Sequence, residues 1–374
     1  MTNKLHVLFL CGWYPSRVLP NNGDFIQRHA EAVNTKHTVS VLHIITDPNL
    51  KTSIETSFEV VNNVQTHIAY IKPAKNNFKK ASLFYKAFKL LLNKIDFFDL
   101  VHVNKLYPFG VLALFLKFFY KKPFIVTEHW TGYHSPDKYD IAFTEVKLSK
   151  LIAKSASFIC PVSNDLKNSM LALKLHGEYT IVPNVVNTDN FTTTEKKMNA
   201  FKVLHISNML DKHKNVSGII STFNLFLKHL PHAELILVGE KSIQYKTLTD
   251  TLNLSDSVTF IPHIPHKDVI KEMQNAHVFV LFSNYENLPC VILESFACGT
   301  PVISTDVGGI REFFPENFGY LIQKGNQNDF LEKLIAIEKQ YSFNGNDMHQ
   351  YAVANFSVNK IAKMFSNLYR AALT

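Results

Sequence analysis

Short runs of β-branched and other apolar residues alternate with longer helical patterns over the whole of this 374-residue chain. Several runs have no polar face, which is typical of strands in a parallel sheet covered by helices on both sides. This βαβα order predicts an α/β protein with doubly wound sheets. The predicted strands of the first half are Leu5–Cys11, Thr38–Ile44, Val64–Lys72, Leu100–Asn104, Phe124–Glu128, Phe158–Val162 and Tyr179–Val182. Those of the second half are Val203–Ser207, Glu234–Val238, Val258–Ile261, Val278–Phe282, Val302–Thr305 and Tyr320–Ile322.

A polar stretch near the middle divides this pattern in two. It runs from Asn184 to Ala200, is rich in Asn, Thr and Lys, and precedes a fresh strand, "FKVLHIS". Since a chain of this length is too long for one ordinary core, we predict two domains, 1–187 and 200–357, with a cleft between them. A last helix over 358–374 has apolar residues at helical spacing, and we expect it to pack back toward the first domain.

Composition excludes several classes of protein. Hydrophobic residues make up 46% and charged residues 19%, which indicates a folded globular chain. The longest apolar stretch, Phe109 to Leu116, is far shorter than the roughly 20 residues of a spanning helix, and the N-terminus shows no signal-peptide cleavage site. Four cysteines without a CxxC pair indicate free thiols in a reducing, cytoplasmic compartment. The net charge of +8 suits an anionic ligand, an anionic membrane surface or nucleic acid.

Two carboxylates stand close to one predicted helix in "SNYENLPCVILESFACGTPVISTDVGG". The helix runs from Pro289, which suits a first turn, to Cys298, with Gly299 as its C-terminal cap. Glu286 precedes it, and Glu294 lies inside it and leans back toward the same end. Because N–H groups at a helix N-terminus attract anions, the pair is suited to bind a sugar and a ribose that share a diphosphate. A solvated Glu286 and a salt-bridged Glu294 are the alternative.

Two glycine-containing loops follow predicted strands. Gly308 and Gly309 lie at the carboxyl end of a strand, where α/β sheets bind ligands. Glycine there lets a ligand approach the backbone or serves a tight turn. The unusually long loop "WYPSRVLPNNGD" ends at Gly23 and Asp24, and such loops are often functional. A surface excursion capped by Asp24 is the alternative.

Polar residues follow two further strands. Glu128 and His129 end the strand in "FIVTEHW", and a histidine there would project toward the crevice; a structural histidine is the commoner case. Lys212 and Lys214 follow the strand in "HISNMLDKHKNV", where an ammonium group would neutralise a diphosphate. An ordinary solvated loop is the alternative for the lysines.

The segment from Phe78 to Phe98 predicts an amphipathic basic helix. Such a helix can rest on an anionic membrane, although packing on its own sheet is the commoner case. Its apolar side comprises Leu83, Phe84, Ala87, Leu91 and Ile95, and its basic residues are Lys79, Lys80, Lys86, Lys89 and Lys94.

Taken together, these stretches resemble glycosyltransferase family 4, whose members are retaining enzymes of the GT-B architecture. The match is strongest between Val258 and Gly309, where Glu286 and Glu294, with seven residues between them, resemble the family's Glu-x7-Glu motif. "VPNVVNTDNF" resembles the segment near the domain junction, and "HISNMLDKHKN" the phosphate-binding loop. "GWYPSRVLPNNGDFIQRHAEAV" is similar to the glycine-containing first loop, and "TEHW" to the position of a catalytic-site histidine. The resemblance implies two Rossmann-like domains, the first binding the acceptor and the second the donor.

The resemblance also implies an activity: transfer of a sugar, with retention, from a nucleotide diphosphate sugar to a saccharide or lipid-linked acceptor. Polysaccharide or glycolipid assembly at the inner face of a membrane would be its setting. His129, Glu286 and Lys214 would be catalytic, and electrostatic stabilisation of the leaving diphosphate would be the main task. We expect no metal, no cofactor and no nucleic acid, since no DxD-type motif is evident. The donor-binding residues would be Gly23, Asn208, Lys212, Lys214, Asn287, Leu288, Pro289, Cys290 and Glu294.

Three positions depart from the family pattern. Asn208 stands where an arginine is usual, so Lys212 or Lys241 would supply a second cation, or one cation suffices. Lys241 itself replaces a second glycine. Asn287, Leu288 and Pro289 replace a Gly-Phe-Gly sequence, which leaves the donor sugar open.

Two other functions remain open at this point. One is a nucleotide-sugar epimerase or hydrolase on the same scaffold, which would release nucleotide without an acceptor. The other is a catalytically silent nucleotide-sugar-binding protein. A dinucleotide reductase is excluded, because no GxGxxG follows the first strand.

Overall fold

The computed structural model describes residues 4–134, 141–196 and 200–374. The chain divides into two compact units: unit 1 comprises Met1–Val185 and Val358–Thr374, and unit 2 comprises Val186–Ser357. The division falls within the polar stretch of the sequence, of which residues 197–199 lie outside the described part. Each unit is built on a largely parallel sheet with helices, so the predicted α/β class is confirmed.

The sheet of unit 1 has the strand order β3-β4-β2-β1-β5-β6-β7. Its central strands are buried along nearly their whole length, because helices cover both faces. Its strands are β1 (His6–Cys11), β2 (Thr38–Thr46), β3 (Ile54–Val61), β4 (Val64–Ile71), β5 (Leu100–Asn104), β6 (Phe124–Glu128) and β7 (Phe158–Pro161). The first helices are α1 (Asp24–Asn34), α2 (Asn77–Leu92), α3 (Phe109–Tyr120), α4 (Phe143–Ser155) and α5 (Asn164–Ala172).

Two strands of unit 1 differ from the sequence prediction. Strand β3 was not predicted. It pairs antiparallel with β4, and Asn62 and Asn63 form the turn between the two strands. Both residues have positive φ, as a two-residue hairpin turn of this kind requires. The predicted strand Tyr179–Val182 is wrong, because Tyr179 forms only an isolated bridge. The neighbouring strand β7 ends at Pro161, which has no N–H to donate, so the ladder lacks that bond even though the N–H of Val182 donates to the Pro161 carbonyl at 3.1 Å.

Unit 2 has the strand order β10-β9-β8-β11-β12-β13, and every neighbouring pair is parallel. Its strands are β8 (Lys202–Ile206), β9 (Glu234–Val238), β10 (Val258–Ile261), β11 (Val278–Leu281), β12 (Val302–Thr305) and β13 (Gly319–Ile322). Its helices are α6 (Asp211–Lys214), α7 (Val216–Leu227), α8 (Lys246–Thr251), α9 (His266–Asn275), α10 (Cys290–Ala297), α11 (Gln327–Lys339) and α12 (Gly345–Phe356).

The last helix, α13 (Val358–Leu373), belongs to unit 1. Ile361, Phe365 and Tyr369 are fully buried in the core of that unit. The Tyr369 hydroxyl lies 2.7 Å from Nδ1 of His102. The helix therefore contributes both apolar area and a buried polar contact to unit 1.

Each sheet has one point where the order of strand addition reverses. This switch point lies between β1 and β5 in unit 1, and between β8 and β11 in unit 2. Open α/β sheets bind their ligands outside the carboxyl ends of the strands at such a point. The residues that directly follow these four strands are therefore the first candidates for function.

The basic segment forms α2, with a buried side slightly different from the predicted one. Ala87 and Leu91 are buried as expected, but Phe88 and Leu92 are buried with them, while Leu83 and Phe84 remain partly exposed. None of the helices in the described part of the chain combines the length and the apolar character that a bilayer span requires.

Candidate functional site

Lys214 and Glu286 meet at the switch point of unit 2. Lys214 ends α6, which follows β8, and Glu286 lies in the loop after β11. The Nζ atom of Lys214 lies 2.5 Å from Oε1 of Glu286, and the Ser283 hydroxyl donates to the same oxygen at 2.7 Å. Both charged side chains are largely removed from water, with 17% and 9% exposed. Removing either partner would leave a poorly solvated charge, so the pair fixes this geometry.

Helix α6 is a single turn whose position is set by neighbouring side chains. Asp211 accepts hydrogen bonds from the backbone N–H and the hydroxyl of Ser217, at 2.8 and 2.7 Å. The Asn284 side chain donates to the backbone carbonyl of Lys212 at 3.1 Å. These contacts tie the helix to the loop that carries Glu286, which places Lys214 beside it.

The other predicted phosphate contacts face solvent. Asn208 is exposed, and its side-chain oxygen accepts a hydrogen bond from the backbone N–H of Leu210 at 3.2 Å, which makes a local turn. Lys212 and Lys241 are also exposed. Neither lysine has an ion-pair partner among the described residues, so both ammonium groups are available to an anion.

Glu294 lies inside α10 and is 2% exposed. Its Oε1 lies 2.8 Å from Nε2 of His266, the first residue of α9. The ring of Phe191 packs 4.8 Å from that histidine. Sequence reasoning missed His266, because nothing in its local sequence marks a partner for a glutamate on another helix.

Helix α10 starts one residue later than predicted, at Cys290, with Pro289 at the cap position. A proline side chain offers no acceptor to the first N–H groups, so this helix end has no side-chain cap. Asn287 and Leu288, which precede it, are buried. Gly299 ends the helix at φ +67°, as predicted.

The glycine pair after β12 supports the loop of Glu286. Gly308 has φ +59° and lies so close to the backbone carbonyl of Glu286 that a Cβ atom would collide with it. Gly309 donates its N–H to the carbonyl of Asn287 at 2.9 Å. At Gly308 the tight-turn interpretation therefore applies, since the close neighbour is the protein's own backbone.

In unit 1, the position of Gly23 also requires glycine for a structural reason. It precedes α1 at φ +77°, and a Cβ atom there would lie 2.6 Å from the carbonyl carbon of Trp13. Asp24 is the first residue of α1 and pairs with Arg28 at 2.6 Å. Only glycine lets the first loop close against Trp13 in this way.

The same loop is also anchored farther along. Arg17 pairs with Asp47 at 3.0 Å and with Glu55, and its guanidinium lies 3.8 Å from the ring centre of Tyr70. A cavity of about 690 Å³ opens beside Arg17 and contains none of the predicted site residues. This part of the loop is held by the edge strands of the sheet.

Glu128 is a fully buried carboxylate at the end of β6. One oxygen accepts the N–H groups of His129 and Trp130 at 2.8 and 2.9 Å. The other accepts the N–H of Leu106 at 2.8 Å and the hydroxyl of Tyr133 at 3.3 Å. Glu128 therefore joins the loops after β5 and β6, and its carboxylate is occupied by the protein itself.

His129 is packed rather than projecting into open space. It is 9% exposed, and its ring centre lies 4.6 Å from that of Phe25 and 5.4 Å from that of His29. Burial holds the pKa of His129 well below its ordinary value, despite a hydrogen bond with Asn184. The imidazole is therefore neutral at pH 7 and suited to hydrogen bonding rather than to carrying charge.

One lysine at this edge was not singled out from the sequence. The Nζ atom of Lys105, directly after β5, lies 4.3 Å from the ring centre of Trp13 and 4.8 Å from that of Trp130. Burial lowers the pKa of Lys105 from its ordinary value. No sequence signal brings these residues together, because each follows a different strand.

Two family models cover most of the chain. The model described as "Glycosyltransferase Family 4" matches residues 26–190, and "Glycosyl transferases group 1" matches residues 187–354. The chain belongs to glycosyltransferase family 4. The resemblance inferred from the motifs is thereby confirmed, and the protein is a glycosyltransferase.

Two curated relatives of this glycosyltransferase are 25% and 21% identical to it over the aligned residues. A probable sucrose-phosphate synthase of Thermosipho melanesiensis is 25% identical over 291 residues, which are 69% of this chain and 67% of that protein. A putative teichuronic acid biosynthesis glycosyltransferase of Bacillus subtilis is 21% identical over 394 residues, 98% of either chain.

Solved structures share the fold at lower identity. The sucrose-phosphate synthase of Thermosynechococcus elongatus has a TM-score of 0.79 and 21% identity, covering 98% of both chains. Anabaena HepE in complex with UDP-glucose has a TM-score of 0.73 and 15% identity, covering 97% of this chain and 98% of that one. These likenesses confirm the predicted GT-B fold class.

Proposed function

We propose that this glycosyltransferase takes its sugar from a nucleotide diphosphate sugar bound to unit 2. The Lys214–Glu286 pair at the switch point, 2.5 Å between charged atoms, is the observation that carries the proposal. A structural neighbour of the same fold, HepE, holds UDP-glucose. The cation and the carboxylate supply what the two halves of such a donor need: a positive charge for phosphate, and an acceptor for sugar hydroxyls.

Each residue has a distinct role in this proposal. Lys214 binds the diphosphate and stabilises the charge that develops on it as the bond to the sugar breaks. Glu286 hydrogen-bonds the donor sugar, and the backbone from Asn287 to Cys290 contacts its remaining hydroxyls. Glu294 binds the ribose hydroxyls. To do so, its carboxylate would either leave His266 or contact the ribose and His266 together.

The stereochemistry and the metal requirement are part of the same proposal. The sugar is transferred with retention at the anomeric carbon, and the diphosphate is held by Lys214 and by backbone N–H groups without a metal or a cofactor. Gly23 and His129 act from unit 1: Gly23 shapes the first loop, and the neutral imidazole of His129 hydrogen-bonds a sugar hydroxyl.

We propose a saccharide or lipid-linked saccharide as the acceptor, bound by unit 1. The full-length likeness to a teichuronic acid glycosyltransferase supports a role in polysaccharide or glycolipid assembly. Such acceptors grow at the inner face of a membrane, which would place this protein there as a peripheral enzyme.

An exposed face of α2 and α3 is suited to that setting. Phe78, Phe118 and Phe119 are 86%, 57% and 75% exposed. Phe115 of α3 contacts α2, since its ring centre lies 5.8 Å from that of Tyr85, and it also lies 4.9 Å from the ring centre of Phe119 in its own helix. Seven lysines lie on these two helices or directly after α3, so apolar insertion and attraction to anionic lipid would act together. They are Lys79, Lys80, Lys86, Lys89, Lys117, Lys121 and Lys122.

Ligand binding and product analysis test the donor. A thermal-shift screen against UDP, GDP, ADP and their sugars identifies the nucleotide, because a ligand that binds only the folded state raises the melting temperature. Proton NMR of the product then gives the anomeric configuration, which we expect to match the donor. EDTA should leave the rate within about twofold, since no metal-held step is proposed.

Three results would contradict the proposal. An inverted product refutes retention, and a collapse of activity in EDTA that manganese or magnesium restores refutes the metal-free mechanism. Release of free nucleotide without any acceptor product would instead favour the epimerase or hydrolase.

Vesicle binding tests the membrane face. Changing Lys79, Lys80, Lys86 and Lys89 to Gln should abolish sedimentation with anionic vesicles, at about 1 kcal/mol per charge. The matched control changes four exposed lysines of unit 2, Lys228, Lys246, Lys267 and Lys339, and should bind like the parent. Equal loss of vesicle binding in both variants, or no binding by the parent protein, would show that α2 is an ordinary helix packed on its own sheet.

A further inference from the structure

Three side chains that follow neighbouring strands of unit 1 form a cluster at its switch point. Trp13 lies two residues after β1, Lys105 directly after β5, and Trp130 two residues after β6. The ammonium group of Lys105 lies between the two indole rings, 4.3 and 4.8 Å from their centres. All three side chains are partly exposed, so a ligand in solution can reach them.

Within the described part of the chain, the lysine of this cluster has no counter-charge in contact with it. Among the residues that the structure describes, no carboxylate lies within ion-pair distance of Lys105. Glu128 and Glu145 act on it only from farther away, and both oxygens of Glu128 already accept hydrogen bonds from backbone N–H groups. Indole faces attract an ammonium group, but more weakly than an anion does.

The backbone holds this lysine in a conformation that lysine disfavours. Lys105 has φ +76°, where glycine or asparagine would be less strained. Its N–H donates to the carbonyl of Thr127 at 3.0 Å, and the N–H of Gly12 donates to that of Asn104 at 2.8 Å. These bonds fix the position of the lysine on both sides of the switch point.

We infer that Trp13, Lys105 and Trp130 form an acceptor subsite for a saccharide that carries an anionic group, either a carboxylate or a phosphate. Because the ammonium group lies over one face of each indole ring, a pyranose would contact the remaining exposed apolar surface and the polar edge of the rings. The ammonium group of Lys105 supplies the charge that an acidic sugar needs and a neutral sugar does not. This inference rests on the proposed function, in which unit 1 binds the acceptor.

Intrinsic fluorescence gives a direct test, because Trp13 and Trp130 are the only tryptophans among the 374 residues. The full chain is titrated without any donor with glucuronate, glucose 6-phosphate, glucose and inorganic phosphate. We expect saturable changes with glucuronate or glucose 6-phosphate at concentrations about tenfold lower than with glucose, as one partly buried ion pair provides.

Two variants and one control locate the charge. Lys105→Met should bring the acidic sugars to the level of glucose, and Lys105→Arg should keep their advantage. Lys174→Met is the matched control, since Lys174 is also at positive φ (+59°) but exposed elsewhere; it should behave like the parent. Circular dichroism of each variant checks that it is folded.

The outcomes separate this inference from the proposed donor function. Equal responses to glucose and both acidic sugars, or an unchanged response in Lys105→Met, would overturn it and leave a structural cation–π stack. Inorganic phosphate binding as tightly as glucose 6-phosphate would overturn the saccharide part. If a nucleotide stabilises the protein but acidic sugars do not bind, only this inference is refuted. If acidic sugars bind but no nucleotide stabilises the protein, only the donor proposal is refuted.

Discussion

Each of the two switch points carries a lysine, but the two lysines stand in opposite surroundings. Lys214 of unit 2 contacts Glu286, which also accepts a hydrogen bond from the Ser283 hydroxyl. The charge of Lys214 is therefore balanced within the protein. Lys105 of unit 1 lies between two indole rings with no carboxylate in contact among the described residues. Both sheets thus carry a cation near the switch point, while the surrounding loops determine what that cation can bind.

The units also differ in their buried histidines. In unit 1, burial lowers the pKa of His29 and of His43 to about 4. His102 and His129 are shifted in the same direction. In unit 2, burial lowers the pKa of His205 in the same way, to about 4. Since four of these five histidines belong to unit 1, acid should destabilise unit 1 more than unit 2.

The largest expected effect separates the two lysines. Lys214→Ala should lower kcat by about 10³, because a cation at a developing diphosphate contributes several kcal/mol to the transition state. Lys105→Ala should mainly raise the KM for an acidic acceptor, since it removes a binding contact. Steady-state kinetics of both variants, with thermal melts to confirm folding, measure the split. Near-parent turnover in Lys214→Ala would show that the phosphate site lies elsewhere.

Acidification should unfold unit 1 before unit 2. An unfolded histidine binds its proton near pH 6.5, whereas His29 and His43 in the fold bind theirs only near pH 4. Between these values the unfolded state holds more protons, so stability is complete above pH 6.5 and falls toward pH 4. Each of these two histidines contributes up to about 3 kcal/mol.

Two optical signals follow the units separately. Tryptophan fluorescence reports on unit 1, which holds Trp13 and Trp130, and far-ultraviolet circular dichroism reports on both units. The fluorescence transition should come at higher pH than the last dichroism transition. Coincident transitions would show that the units do not differ in acid sensitivity.

The two glutamates test the donor side more finely. Glu286→Gln should lower kcat by on the order of 30-fold with little change in nucleotide affinity, because its charge acts on the reacting sugar. Glu294→Gln should weaken nucleotide binding and leave kcat closer to the parent value. Calorimetry with the nucleotide and steady-state rates measure both. Loss of nucleotide affinity in Glu286→Gln alone would reverse the assignments.

The smallest expected effect concerns Asn208, which stands where the family usually has an arginine. Asn208 is exposed and serves only a local turn, so Asn208→Arg should fold normally. It should leave donor affinity within about twofold or raise it, since another cation adds modestly at an exposed site. Titration of the nucleotide at low and moderate salt checks this. A marked loss of affinity would contradict this prediction, because it would show that the donor site does not accommodate a cation at position 208.

The sequence was most informative where burial on both sheet faces left an unbroken apolar run. Strands β1, β5 and β6 of unit 1 were predicted for this reason. Strand β3 was missed because it lies at the sheet edge, where its residues are exposed or only half-buried. The pair Asn62 and Asn63 between two β-branched runs was a usable signal for this hairpin.

The candidate site was predictable only in part. The motif resemblance named Glu286 and Lys214, which are 72 positions apart, but not that they touch. The pairing of Glu294 with His266, and the cluster around Lys105, depend on loops from different strands. Such contacts arise from tertiary structure, and no local pattern encodes them.

The position of α13 has a consequence for how the protein is made. Unit 1 needs Ile361, Phe365 and Tyr369 for its core, yet the ribosome synthesises all of unit 2 before them. At about 5 to 20 residues per second, the nascent first unit waits on the order of ten seconds or more with an apolar groove uncovered. During that interval we expect chaperones to bind the exposed apolar surface of unit 1.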